Sequence, residues 1–365
     1  MIYLLILFFI FILAFLDVAD DAVFPKYKNI LLIFCFILMF IVAGFRYQVG
    51  YDFNSYERIY NNITLSNFRG NNLEIGFSLF VCLLKRIGFG FPVMMISIAM
   101  ASLFIKYRVI KEYSVYPFIS MLVYFSANFI IQDFGQIRQG LAIAFTLYSI
   151  KYIKEKKLYK YLIIIFMAIM FHYSAVLFLP MYWLSRINVN KKVIATAFVV
   201  SGVFFVFSKS GLLDYLVLKV IDQPYITYKY VAYMSGEGGI GIFKLTFLSR
   251  LVIFALFYLL RDKIKENCEC YNILAMAYLV SIFMYVAFNF NGALATRGAL
   301  YFKIVEILII PQIIYAVKDK IIMFNGLMIL YLFTFKDLYF EIMSSGDRFM
   351  PYKNLIVEFL RNVFS

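Results

Sequence analysis

The sequence predicts an all-α integral membrane protein, a polytopic bundle of about twelve transmembrane helices with interfacial helices in its long outer loops. Three observations predict it. Of the 365 residues, 64% are hydrophobic and only 15% charged, against about 45–50% apolar in an ordinary soluble domain. Apolar runs approaching the roughly 20 residues that cross a bilayer recur along the whole chain. The loops between them are basic on alternate connections, as one cytoplasmic side requires. No segment is polar enough for a second, soluble domain, so residues 1–365 read as a single polytopic domain.

Spans are expected near 1–16, 29–45, 90–105, 117–132, 137–153, 159–171, 173–185, 193–209, 242–260, 271–290, 298–317 and 321–337. The first starts at Met1 without a basic leader or a small-residue cleavage site and runs on into further spans, so it reads as a retained helix. The sixth and seventh are short and meet at His172, as two tilted spans or a re-entrant pair. The basic connections hold Lys26 and Lys28; Lys106, Arg108 and Lys111; five lysines between Lys151 and Lys160; Arg186, Lys191 and Lys192; Arg261, Lys263 and Lys265; and Lys318 and Lys320. Both termini then lie outside, with outer loops 46–89 and 210–241 and an outer tail 338–365. In the first outer loop Phe53, Tyr56, Ile59, Tyr60 and Ile63 recur at helical spacing, which reads as an interfacial amphipathic helix. Segment 74–87, ending in Lys85 and Arg86, is expected at or dipping into the same interface. Segment 212–234 reads likewise, ahead of a flexible stretch at Gly236, Gly238, Gly239 and Gly241.

Composition removes several function classes. The net charge of +14 is carried by lysines flanking spans and is no nucleic-acid signal. Cys35 and Cys82 lie in apolar runs, and Cys268 and Cys270 form a C-x-C in a short loop with no His nearby. With one His in the chain, a Cys/His metal site lacks its ligands. No D-x-D stands on the outer side to hold a divalent metal. No cofactor and no metal are expected.

What remains is a distribution of arginines. Nine of the twelve (Arg46, Arg58, Arg69, Arg86, Arg138, Arg250, Arg297, Arg348 and Arg361) fall on the side poor in lysine. Arginine grips phosphate and carboxylate in a two-pronged geometry. A single intramembrane Arg is more often a snorkelling side chain or half of an ion pair. Arg46, Arg138, Arg250 and Arg297 together, at or near one face, would repel one another without an anion between them. Arg138 stands beside Gln132, Gln136 and Gln139, whose spacing puts all three on one helix face. Lys303 and Glu306 sit three apart and can neutralise each other. Outer carboxylates are Asp52, Glu57, Glu74, Asp133, Asp214, Asp222, Glu237 and Asp347. Asp52 follows Arg46 closely, to pair with it or to flank a sugar phosphate. His172 is either a satisfied core residue or a group for acid–base chemistry at the outer surface.

The ordered stretches G-F-R-Y-Q-V-G-Y-D-F-N-S-Y (Gly44–Tyr56), E-I-G-F (Glu74–Phe77), Q-I-R-Q-G-L-A-I-A-F (Gln136–Phe145), the lysine-rich loop 151–160, F-H-Y-S-A (Phe171–Ala175) and T-R-G-A-L-Y-F (Thr296–Phe302) resemble the EpsG-type branch of bacterial Wzy polysaccharide polymerases. The resemblance is strongest over residues 40–180. Where the family usually shows E-P-G-Y and H-P-S, this chain has Ile75, Phe77 and Tyr173 but keeps Glu74, Gly76, His172 and Ser174. The resemblance implies a glycosyltransferase that uses no nucleotide sugar. Its donor would be a growing glycan on undecaprenyl pyrophosphate and its acceptor one lipid-linked repeat unit. Membrane lipid would surround it, and a chain-length regulator protein is a further expected partner; nucleic acid is not. His172, Asp52 and Glu74 are the candidate bases. Arg46, Arg138, Arg250 and Arg297, with Gln136 and Gln139, are candidates for pyrophosphate or glycan binding, Arg138 first and Arg250 on its depth alone.

Three other functions use similar features. A flippase of lipid-linked sugar would bind the same pyrophosphate, but the polar residues cluster outside and no duplicated half is visible. A membrane acyltransferase would need its His on the side of the acyl donor. A glycan ligase shares the arginine logic.

Overall fold

The computed structural model describes residues 2–19, 24–67, 73–215, 218–219, 227, 230–231 and 244–364. Arg69, Asp222, Glu237 and the glycines of 236–241 lie outside the described residues, as do most of segment 212–234 and the side chain of Asp214.

Among the described residues the regular structure is helical, joined by turns and irregular segments, with one isolated antiparallel bridge between Arg46 and Asn354. The longer helices are α1 (Ile2–Ala19), α2 (Phe24–Gly44), α3 (Phe53–Asn62), α4 (Ile75–Ile87), α5 (Phe91–Tyr113), α6 (Pro117–Phe125), α7 (Ile137–Lys154), α8 (Leu158–Phe171), α9 (Lys191–Lys209), α10 (Leu245–Leu259), α11 (Tyr271–Ala287), α12 (Gly292–Lys303), α13 (Glu306–Val317), α14 (Lys320–Ser344) and α15 (Leu355–Phe364). A π-helical turn, Ile130–Gly135, precedes α7, and a 3-10 segment, Tyr173–Phe178, follows α8.

Among the described residues, five helices are long and apolar enough to cross a membrane: α1, α2 from Lys26, α5, α9 and α14. α12 and α13 make a sixth if taken as one span bent by 56°. α8, α10 and α11 are apolar but shorter. The chain is thus a helical membrane protein, with five or six full-length spans among its described residues beside the expectation of about twelve. Breaks that hydropathy does not register account for part of the difference. Ser126, at ψ −148°, ends α6, and the π turn then separates it from α7. Other ends move outward. Lys26 and Lys28 stand inside α2 rather than in a loop, and Lys28 pairs with Asp17 of α1 at 2.6 Å. α5 runs eight residues past the expected end at 105, to Tyr113, so Lys106 is helical and completely buried.

The chain divides into two units: residues 1–149, 159–176 and 310–365 form the first, and 150–158 and 177–309 the second. In the first, α6 is buried on every side. α1 packs on α6 and α14, and α2, α3 and α4 pack on α5. The apolar side of α3 does not face lipid as expected of an interfacial helix. Phe53, Tyr56 and Tyr60 are buried with Phe77, Val81, Phe91, Met95 and Ile137. Lys85, placed at the interface by its position, instead donates to the Asn61 and Ile63 carbonyls at the end of α3. The tail closes on this unit as well. Tyr47 N donates to Lys353 O at 3.0 Å and Leu355 N to Phe45 O at 2.7 Å. Tyr51 donates to Glu341 at 3.0 Å, and burial together with that carboxylate pushes the Tyr51 phenol up to about 12.

In the second unit α11 is buried along nearly its whole surface, against α9, α10 and α12. Phe247 of α10 stacks on Tyr285 of α11 at 4.8 Å. Gly298 lets α12 approach Met284 of α11. Cys268 and Cys270 are buried free thiols with sulfurs 3.4 Å apart. Lys154 reaches Glu269 between them at 2.7 Å and holds its carboxyl below the usual range.

Candidate functional site

The π turn organises the polar residues of the first unit. A π helix is rare and costs regular hydrogen bonding, and such turns gather at functional sites. Here Gln136 N closes on Ile131 O at 2.8 Å, and the carbonyls of Asp133 and Phe134 are left for other donors. Arg46 supplies them. Its Nη1 donates to Asp133 O at 2.6 Å and to Ala43 O at 2.8 Å, its Nη2 to Phe134 O at 2.9 Å, and its guanidinium lies 4.8 Å from the Phe134 ring. Two glycines admit this turn. Gly50, at φ 109°, brings its backbone against Phe134 O, and Gly140 lies so close that a Cβ would sit 2.9 Å from the Gln132 carbonyl carbon. Arg46 therefore clamps main chain, a role apart from the two its spacing to Asp52 suggested, pairing with that carboxylate or flanking a sugar phosphate with it. Only its buried Nε lacks a hydrogen-bond partner. It lines a cavity of about 60 Å³ with Tyr47, Phe53, Glu57 and Phe91.

Asp133, expected among the outer carboxylates, points the other way. Its carboxylate accepts from Ser102 at 2.8 Å and from Tyr124, and pairs with Lys106 at 3.3 Å. All four side chains are buried.

On the far side of the π turn, α7 carries Arg138 to Glu74, and the two form an ion pair. Glu74 is buried at the start of α4, and one fifth of the Arg138 side chain is exposed. The guanidinium also faces the rings of Phe77 at 5.3 Å and Tyr56 at 5.8 Å. The third motif joins at the same place. Gly76 packs so closely on α8 that a Cβ would meet Met170 Cβ at 2.6 Å and Met170 O at 2.7 Å. Tyr173 donates to Leu73 O at 3.2 Å. Half-buried His172 ends α8, with Nδ1 sharing a 2.7 Å hydrogen bond with Ser174 Oγ. Glu74, Arg138, Tyr56, His172 and Ser174 thus belong to one neighbourhood built from α3, α4, α7 and α8.

The remaining candidates are placed differently. Asp52 is half-buried at the start of α3, where its carbonyl accepts from Tyr56 N at 2.9 Å. The three glutamines do not share one helix face: Gln132 is in the π turn, Gln136 falls between it and α7 at ψ 58°, and Gln139 is in α7. Both amide atoms of buried Gln132, Gln136 Oε1 and Arg138 Nε lack hydrogen-bond partners. Buried polar atoms of that kind mark where a polar ligand or water is accommodated.

Arg250 and Arg297 lie in the second unit. Arg250, read as deep in its span, is in the second turn of α10 because that helix starts later than expected. It is buried over the Tyr285 ring at 4.9 Å, with Nε and Nη1 unpaired. Arg297 is exposed on α12. Lys303 does pair with Glu306, at 3.2 Å, and Glu306 also accepts from Tyr278.

Sequence reasoning missed Tyr56 as a neighbour of Arg138 and the whole Lys106 cluster. The Gly140 approach had a signal, a glycine inside a helical pattern. Arg46's carbonyl partners had none. No curated protein and no solved structure matches the chain. The model of the EpsG family matches residues 29–354, nearly the whole length, and the chain belongs to the EpsG family.

Proposed function

We propose that this protein is a polysaccharide polymerase, a Wzy-like glycosyltransferase. It transfers a growing glycan from undecaprenyl pyrophosphate to the terminal sugar hydroxyl of a lipid-linked repeat unit, at the outer face of the cytoplasmic membrane. Family membership supports a polymerase-like role. The observation that supports the finer reading is the Arg138–Glu74 ion pair at the start of α4, the helix that packs through Gly76 on α8, after which His172 and Ser174 follow.

The acceptor hydroxyl oxygen attacks the donor's anomeric carbon. The bond from that carbon to the pyrophosphate oxygen breaks, and the hydroxyl proton passes to a base. Arg138, permanently protonated and two-pronged, meets the charge developing on the leaving pyrophosphate. As it turns to the anion, Glu74 is released to take the proton; His172 and Asp52 are the other candidates. Gln136 and Gln139 bracket Arg138 and offer amides to sugar hydroxyls. Arg46 serves through the backbone it clamps, with Nε left for a ligand. In the second unit Arg250, with two unpaired buried N–H groups, and Arg297, exposed on α12, are the candidates for glycan or pyrophosphate binding. Two lipid substrates already held in the membrane lower the association cost. No step calls for a metal or a nucleotide sugar.

The test is purified protein in nanodiscs, supplied with lipid-linked repeat units extracted from the source organism. A ladder of products without metal or nucleotide sugar is expected, and Arg138→Ala, still folded, should abolish it. No ladder from authentic substrate overturns the reading. In cells, loss of the protein should leave surface glycan with single repeat units; complete absence of glycan would favour a flippase or ligase instead.

A further inference from the structure

Lys106 has no part in the reaction above, yet it is a fully buried cation in the first unit. A charged group within a membrane span costs about 2.5–3.5 kcal/mol on insertion scales. A buried ion pair repays little of that in stability, and apolar replacements of similar volume are often neutral or better. Lys106 is nonetheless fully buried on α5, one turn from Ser102. It donates to Ser102 Oγ at 2.9 Å and Tyr124 Oη at 2.5 Å, and pairs with Asp133. Ser102 and Tyr124 both donate to the same carboxylate. The cluster therefore ties α5 and α6 to one residue of the π turn.

That residue is held from two sides. The Asp133 side chain is fixed by Lys106, Ser102 and Tyr124. Its carbonyl, with that of Phe134, is fixed by Arg46. Immediately downstream, Gly140 of α7 rests on the Gln132 backbone, two residues from Arg138. The π turn thus sets where α7 begins and so where Arg138 meets Glu74.

We propose that Lys106 and Asp133 are positioning residues: their buried pair holds the π turn that seats Arg46 and aims Arg138. The consequence for turnover rests on the polymerase reading; the geometric claim stands apart from it and is read separately. Phenylglyoxal labels accessible guanidinium groups, and peptide mass mapping resolves each site. In the full-length protein in nanodiscs, the buried Arg46 should label slowly relative to exposed Arg58. Lys106→Met should speed Arg46 labelling at least fivefold with Arg58 unchanged. Asp133→Asn preserves shape and should do the same to a smaller degree, and it carries the test if Lys106→Met does not accumulate. Lys28→Met breaks the Asp17 pair in the same unit without touching the π turn. It should lower thermal stability and leave Arg46 labelling as in the wild type. Unchanged Arg46 labelling in both cluster variants, or an equal rise in Lys28→Met, overturns the proposal. With the ladder assay in hand, Lys106→Met should slow turnover at least tenfold with the acceptor KM within twofold. A wild-type protein that makes no ladder removes the polymerase reading, while the labelling rates still decide the positioning claim.

Discussion

Replacing Gly76 by alanine isolates the close approach of α4, which starts after Glu74, to α8, which ends before His172. The added Cβ would lie 2.6 Å from Met170 Cβ and 2.7 Å from Met170 O. Carbon atoms at rest stand about 3.5–4.0 Å apart, so α4 and α8 must separate by about 1 Å. The atoms in the way are backbone and Cβ, which no rotamer change can move. Overpacking of this kind costs about 1–3 kcal/mol, and rigid obstacles place it near the upper end. Alanine's helix propensity returns about 1 kcal/mol, which leaves a net loss near 2 kcal/mol. Gly202 is the control: it sits within α9 with nothing within 4 Å of its Cβ position. There the same change should stabilise by about 0.5–1 kcal/mol. Thermal unfolding in nanodiscs should therefore shift in opposite directions for the two variants. A 1 Å misplacement of reacting groups costs on the order of a hundredfold in rate, so the ladder assay should fall by about that factor for Gly76→Ala alone. A Gly76→Ala protein as stable and active as Gly202→Ala would refute the reasoning that this approach builds the site.

Glu74→Gln should cost roughly 1–3 kcal/mol of stability by leaving Arg138 partly unpaired, and should remove the ladder; full turnover in this variant would strike Glu74 from the chemistry. Ser174→Ala should reduce turnover without changing the melting temperature by more than a degree or two, because it removes the hydrogen bond to His172 Nδ1; unaltered rates across pH 6–8 would make that contact structural. Tyr51 is stabilised as the neutral phenol, so its contribution is complete below pH 10 and is lost as pH rises toward 12. An alkaline loosening of the tail, read as faster proteolysis after Ser344, should therefore vanish in Tyr51→Phe.

Hydropathy and charge alternation read the helical membrane class correctly, because burying the backbone in lipid admits few solutions. They misread what ends a helix. Lys106, Arg108 and Lys111 look like a basic loop, yet α5 continues through all three, because the partner that makes Lys106 tolerable is Asp133, on a distant π turn. The glutamine spacing assumed an unbroken helix across residues 132–139, and π geometry has no sequence signature that spacing rules can see. Arg46 was found, but its role was not, since its partners are carbonyls and every residue has one. Glu74, Arg138 and His172 were each legible as motif residues. The packing of the segments that carry them rests on two glycines, Gly76 and Gly140, whose meaning appears only when the opposing backbone is known.

The strand-like pairing of Phe45–Tyr47 with Lys353–Leu355 has a consequence for biosynthesis. The polypeptide emerging from the ribosome completes every candidate span before the segment beside Arg46 meets its partner. Contacts of such long sequence separation form late. A nascent chain halted after Ser344 would already hold every candidate residue and still lack the clasp beside Arg46, so assembly of a competent protein is a post-insertion event.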